Sequence, residues 1–149
     1  RVAGQFLDCL PIIYGSGMVA AVARRWKTQL NECAKSLAAY EEMPELNHNV
    51  VAGYAHPQPV WQKAIVIALR GPADDPGNSM RFDATTLLML EAGINQDTIR
   101  AQGRSALAQQ WSLVLYGDWV SYYTAIMSGI DPTPVEPIAR LKSELAHAR

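Results

Sequence analysis

The run Lys63-Ala64-Ile65-Val66-Ile67-Ala68-Leu69 is apolar without alternation. A strand of that kind is covered by helices on both faces, so it is read as a central, parallel strand. Leu10 to Tyr14 is a shorter run of the same type, closed by Gly15-Ser16-Gly17, and reads as a buried strand ending in a tight turn. From Met18 to about Asn31 the period becomes helical. Val19, Val22, Trp26 and Leu30 form one stripe there, with Arg24, Arg25 and Lys27 off it. Val2 to Asp8 reads as a helical start, Ser36 to Tyr40 as a short strand, and Pro44 to about Tyr54 as a helix broken by Pro57-Gln58-Pro59.

Gly71 to Ser79, with two prolines and two aspartates, reads as an exposed loop, and Met80 to Ala92 as a helix capped by Gly93. Thr98 to Ala101 is a weak strand. Ser105 to Ser128 is a long helix that is apolar round much of its surface, through Leu107, Trp111, Val114, Leu115, Trp119, Tyr122 and Ile126. A helix of that character is buried in its own domain or against a partner. Gly129 stops it, and Thr133-Pro134-Val135-Glu136 offers an N-cap, a proline at the first helical position and a capping-box glutamate for a last helix to about Ala146. Strands alternating with helices over short links predict a doubly wound α/β domain on a mostly parallel, flavodoxin-like sheet.

With 149 residues the chain fits a single domain that needs no disulfide or metal to hold its core. Its opening on Arg1, without methionine, reads as a piece of something longer. A net charge of −1 without charge blocks gives no reason to expect nucleic acid or an anionic membrane as partner. No uncharged run reaches the ~20 residues of a membrane span. Cys9 and Cys33 lack Cys-x-x-Cys or Cys/His spacing, which argues against a metal site and fits reduced thiols in the cytoplasm.

Two stretches carry candidate chemistry. Gly15-Ser16-Gly17-Met18-Val19-Ala20 fits Gly-x-Gly-x-x-Ala at a strand-to-helix turn, with Glu41 and Glu42 after the next strand. That pattern suits a dinucleotide, a phosphate bound directly at the helix N-terminus, or a turn that merely closes tightly. Pro44-Glu45-Leu46-Asn47-His48-Asn49-Val50 concentrates hydrogen-bonding side chains in one short segment. On a helix opened by Pro44, Glu45 would share a face with His48 and Asn49. His48 is the candidate there for proton handling, a role imidazole side chains commonly take. Trp111, Trp119, Tyr122 and Tyr123 at helical spacing read as core and interface rather than as a stacking platform.

The second stretch resembles the Pro-Glu-Leu-Asn-His-Asn-Glu segment of the bacterial and archaeal bifunctional phosphoglucose/phosphomannose isomerases, enzymes of the sugar isomerase (SIS) fold. The resemblance extends to Pro11 through Gly17, Ala23-Arg24-Arg25-Trp26-Lys27, Gln29-Leu30-Asn31-Glu32, Leu115 through Tyr123, Asp131 through Ile138, and Leu141-Lys142. It implies that residues 1–149 are one SIS domain, the C-terminal half of a two-domain protein that acts on a sugar phosphate without a cofactor and forms a homodimer. It implies a catalytic base at the last motif position, which here is Val50, and leaves Glu45 and His48 as replacements and Ser16, Asn47 and Asn49 as substrate-binding candidates. It further implies that Lys142 handles the sugar ring and that a ring-opening histidine lies near the loop before Met80, where residues 73–78 contain none. The serines and threonines that hold the phosphate are implied to belong to a first SIS domain outside this chain. On these terms the expectation is a sugar-phosphate-binding domain with little isomerase activity of its own, a pseudoenzyme. A dinucleotide-binding domain and a regulatory module that dimerises through the long helix are the alternatives.

Overall fold

The computed structural model describes residues 1–147. Strands β1 (Leu10–Ser16), β2 (Ala39–Met43), β3 (Ala64–Arg70) and β4 (Asn95–Arg100) form one sheet in the order β2-β1-β3-β4, with every pair parallel. The helices are α1 (Val2–Gln5), α2 (Gly17–Glu32), α3 (Gln58–Trp61), α4 (Pro76–Glu91), α5 (Ala106–Met127) and α6 (Glu136–His147). No described helix is long and apolar enough to cross a membrane.

The unalternating strands explain the two layers. Successive side chains of a strand point to opposite faces. Ile65, Ile67 and Leu69 of β3 therefore join Ile13 of β1 in a core under α1, α2 and α5. Ala64, Val66 and Ala68 join Ile12 and Tyr14 in a second core with Phe82 and Met89 of α4. The first core is held at the crossing of α2 and α5. There the buried Trp26 donates its indole N–H to the carbonyl of Leu113 (2.8 Å) and stacks on Tyr116 at 6.0 Å. Gly117 is the reason it fits, because a Cβ at that position would lie 2.3 Å from Trp26 Nε1.

Both helix-ending glycines adopt the left-handed conformation the sequence calls for. Gly93 (φ +70°) and Gly129 (φ +68°) are each followed by an amide that bonds back to a carbonyl of the last turn, Ile94 to Met89 and Ile130 to Ala125. The Ser105 hydroxyl caps α5 by accepting from the Ala108 amide.

Several boundaries differ from expectation, each for a local reason. α1 ends at Gln5, short of Asp8, which takes a positive φ of +57° in the turn before β1. β2 is Ala39–Met43 and so includes Glu41 and Glu42, which were expected to follow a strand at Ser36–Tyr40. As an edge strand it buries only alternate residues and tolerates charge on the open side. β4, on the other edge, starts at Asn95 and buries only Ile99. α4 begins at Pro76, well before Met80, because Asp75 accepts from the Gly77 and Asn78 amides and proline occupies the first turn. Pro57 and Pro59 do not simply break structure but open the short α3. α6 starts at Glu136, so Thr133 does not cap it; the Thr133 amide bonds instead to Asp131 Oδ1.

Candidate functional site

In an open parallel sheet, ligands bind beyond the C-terminal ends of the strands, near the point where the connections reverse direction. Here that point lies between β1 and β3. At the end of β1 the glycine-rich turn has a packing role. A Cβ on Gly15 would come within 2.9 Å of the Val19 carbonyl and 3.0 Å of Ala23 Cβ, so the glycine lets α2 lie close on the sheet. Gly17 takes φ +48° to enter the helix. Ser16 is 2% exposed and its hydroxyl caps no amide of α2. Its side chain thus lies beneath the surface of this chain, at the end of β1.

Beyond β2 the chain turns through a cis Met43–Pro44 peptide into the polar segment. Two short 3-10 turns, Glu45–Asn47 and Val50–Ala55, stand where a continuous helix was expected. The interruption comes at Asn49, whose side-chain oxygen accepts from the Val50 amide (2.6 Å) and caps the second turn. That is the habit that makes asparagine a turn and cap former rather than a helix former.

The turn brings some of the expected residues together and separates others. Asn49 Nδ2 donates to Glu45 Oε1 (3.2 Å), and the His48 amide donates to the Glu45 carbonyl (2.8 Å). Glu45, His48 and Asn49 are all exposed and form one polar knuckle. Asn47 faces inward: its amide donates to Thr85 Oγ1 of α4 (2.7 Å), and its buried carbonyl oxygen has no partner among the described residues. Asn47 thus ties the turn to α4. Lys142 is exposed on α6, which buries no residue, and no hydrogen bond or ion pair among the described residues joins it to the knuckle.

Position 50, where the resemblance places a catalytic base, is apolar here. The Val50 side chain is half-buried and packs, with Val51, against the second core near Leu46 and Tyr54. Val50 is thus part of the packing of the turn. Beneath it, Tyr54 anchors the turn by sharing a hydrogen bond between phenol oxygens with Tyr14 of β1 (3.2 Å) and by an edge contact with Trp61 at 5.3 Å. Burial raises both phenols, so they act as neutral struts; Glu41 nearby is raised by burial as well.

Two concavities open on this edge of the sheet. One of about 420 Å³ is lined by Tyr40 through Glu45. The other, about 600 Å³, lies beyond β3 and β4 and is lined by Arg70, Gly71, Asp74, Ser79, Arg100 and Gln102 among others. Arg70 and Arg100 are register partners, a juxtaposition that sequence reading missed because only strand pairing reveals it. Arg70 bonds Asp83 and Ser79 and lies 5.2 Å from the Phe82 ring centre, so it clamps β3 to α4. Arg100 is exposed. No group of three or more His, Cys, Asp or Glu side chains among the described residues could hold a metal ion, and Cys9 and Cys33 are free thiols.

The sequence matches a family described as bacterial phospho-glucose isomerase C-terminal SIS domain over residues 1–145. The bifunctional phosphoglucose/phosphomannose isomerase of Caldicellulosiruptor bescii is 39% identical over 152 aligned positions, covering 100% of this chain and 44% of that protein. Its counterpart in Aquifex aeolicus is 33% identical over 145 residues, covering 97% and 45% respectively. A glucose-6-phosphate isomerase like protein from Thermus thermophilus superposes with a TM-score of 0.68 at 25% identity, over 88% of this chain and 43% of that one. The chain spans somewhat under half the length of the curated relatives it matches. These similarities support neither the dinucleotide reading nor the purely regulatory one.

Proposed function

The chain belongs to the bacterial phospho-glucose isomerase C-terminal SIS domain family, and on that premise we propose that it supplies one half of a sugar-phosphate isomerase whose other half is a second SIS domain. The substrate class is an aldose or ketose phosphate of the fructose 6-phosphate, glucose 6-phosphate and mannose 6-phosphate group. The observation that carries the reading is the exposed Glu45–His48–Asn49 knuckle at the C-terminal edge of the sheet, in a chain whose relatives are named for this reaction.

Aldose–ketose interconversion removes a proton from the carbon beside a carbonyl, passes through an enediol or enediolate, and returns the proton to the neighbouring carbon. Ring opening first needs a group that moves a proton between the ring oxygen and the anomeric hydroxyl. We assign that shuttle to His48, which is exposed and whose side chain has no other described partner. Glu45, oriented by Asn49, is the carboxylate within the same turn. Lys142 joins the site when α6 is docked against the rest of the assembly. The phosphate is left to the other SIS domain, since Ser16 is buried here.

Assembly into a homodimer and a cytoplasmic location belong to the same reading, the latter supported by two free thiols. The competing reading, a domain without chemistry of its own, is supported by the valine at the position where the resemblance places the base and by the lack of a histidine in residues 73–78.

The test is His48→Gln in the two-domain protein, assayed with fructose 6-phosphate and a coupled detection of glucose 6-phosphate. Losing a general acid–base group lowers turnover by about 10²–10⁴. The loss should be smaller with a substrate analogue that cannot close into a ring. Turnover within about threefold of wild type, against the 10²–10⁴ expected of a shuttle, removes His48 from the mechanism.

A further inference from the structure

The outer side of α5 lacks the charge that a solvent-facing helix carries. In its 22 residues the one charged side chain is Asp118, and it turns inward to Arg25 (2.9 Å) and Gln29 (3.1 Å) of α2. Beside it, Trp111, Leu115, Trp119, Tyr122 and Ile126 follow one another three and four apart along one face, joined by Tyr123, and these six are 62%, 59%, 52%, 40%, 50% and 52% exposed. Trp119, Tyr122 and Tyr123 pack on one another with ring centres 5.6–5.9 Å apart, a prebuilt aromatic cluster. Half-exposed, the four aromatics alone present about 400 Å² of apolar surface, at the limit of what a monomer normally leaves in water. α4 differs, because its exposed Leu87, Leu88 and Leu90 are interrupted by Arg81, Asp83 and Glu91.

We propose that this face of α5 is the docking surface for the SIS domain that precedes this one in the two-domain protein, and not for a second copy of the chain. The inference rests on the two-domain reading above and adds which surface joins the halves. The position of Arg1 selects the occupant. α1 packs against α5, and Arg1 and Val2 line a cavity of about 360 Å³ together with Tyr116, Trp119, Tyr123 and Met127. Chain that precedes Arg1 therefore enters at the rim of the aromatic cluster. Short tethers give effective concentrations in the millimolar range, so the attached domain covers the face ahead of any second copy at ordinary protein concentration.

The experiment labels introduced thiols. In a Cys9→Ser, Cys33→Ser background, Leu115→Cys on α5 and Leu87→Cys on α4 are treated with a maleimide in this chain and in the two-domain protein. The α5 thiol is expected to react at least about tenfold more slowly in the two-domain protein, as for a site reached only through local opening. That slowing must hold on dilution, whereas the α4 control keeps its rate in the monomeric state. Equal α5 rates in both proteins overturn the proposal, and slowing that disappears on dilution assigns the face to a second copy.

Trp119→Lys gives a second arm: the halves should separate, seen as a larger radius in small-angle scattering and faster protease cleavage at their junction. An unchanged radius and cleavage rate also overturn it. Fructose 6-phosphate binding to the wild-type two-domain protein, followed by thermal shift, keeps the two ideas apart. Binding with an open α5 face sinks the docking surface alone, and a covered face without binding sinks the functional reading alone.

Discussion

Val50→Glu separates a packing role for position 50 from a catalytic one, because the two predict opposite outcomes. Burying a valine fully contributes about 1.5–3 kcal/mol, so the half-buried Val50 is worth roughly 1 kcal/mol to the second core. A glutamate either leaves that contact or carries its carboxylate toward Leu46 and Tyr54, where desolvation raises its pKa and adds to the cost. The expected loss is about 1–3 kcal/mol at neutral pH, or roughly 2–10 °C in melting temperature for a domain of this size. The pH dependence has a definite sign. A carboxyl whose folded pKa is raised costs nothing while protonated in both states, and its cost develops as pH rises from the unfolded value of ~4.3 through the folded one. The deficit of the variant relative to wild type should therefore shrink on acidification toward pH 4. Urea titrations of both proteins at several pH values measure it. Stability equal to wild type at pH 7, together with a gain in proton exchange between sugar phosphate and solvent in the two-domain protein, would show that position 50 faces the reacting carbon and that its reading as packing is wrong.

Gly117→Ala should destabilise even though alanine favours a helix interior by up to about 1 kcal/mol. The new Cβ displaces the indole of Trp26 and breaks its bond to Leu113, costs of about 1–3 kcal/mol each for overpacking and for an orphaned donor; a urea midpoint at or above wild type contradicts this. Glu41→Gln should stabilise the domain at neutral pH, because burial raises the Glu41 carboxyl and ionisation there opposes folding. The gain should vanish as pH falls below the ordinary carboxylate range, and a gain that instead grows on acidification refutes the sign.

The central strands and the long helices were legible in the sequence because burial on both faces leaves an uninterrupted apolar run, as in Ile65 to Leu69, and a buried stripe leaves a period, as in Val19 to Leu30. The edges were not. β4 shows polar Asn95, Gln96, Asp97 and Thr98 because only one side of an edge strand has a neighbour, and β2 hides its strand character behind Glu41 and Glu42. The polar segment was found by composition, but its shape was not. Pro44 suggested a helix start, whereas Asn49 capping the Val50 amide divides the segment into two turns and sends Asn47 to Thr85 and Val50 to the core. Spacing rules for a continuous helix cannot anticipate that division. Nor can they reveal that Arg70 and Arg100, thirty positions apart, sit side by side, since that follows from strand register alone.

The exposure of the knuckle bears on how such a domain can take part in catalysis. Proton abstraction from carbon builds negative charge on a carbonyl oxygen, and its stabilisation needs oriented donors in a site from which water is excluded. An exposed carboxylate and an exposed imidazole, as Glu45 and His48 are here, are surrounded by a solvent that weakens a charge–charge interaction at 4 Å to about 1 kcal/mol, against about 4 kcal/mol at the effective dielectric of a protein surface cleft. The rest of the domain is arranged differently: Tyr14, Tyr54, Thr85 and Asn47 use their hydrogen bonds to fix the turn, and the core beneath it is closed. The fold thus makes the knuckle rigid but leaves it uncovered. Rigidity can be supplied by one domain, whereas exclusion of water takes a second surface brought against the first. A chain that presents both an uncovered polar knuckle and an uncharged aromatic helix face has the two features that assembly would resolve together: covering one side fixes the domain in place so that the other can be closed over a substrate.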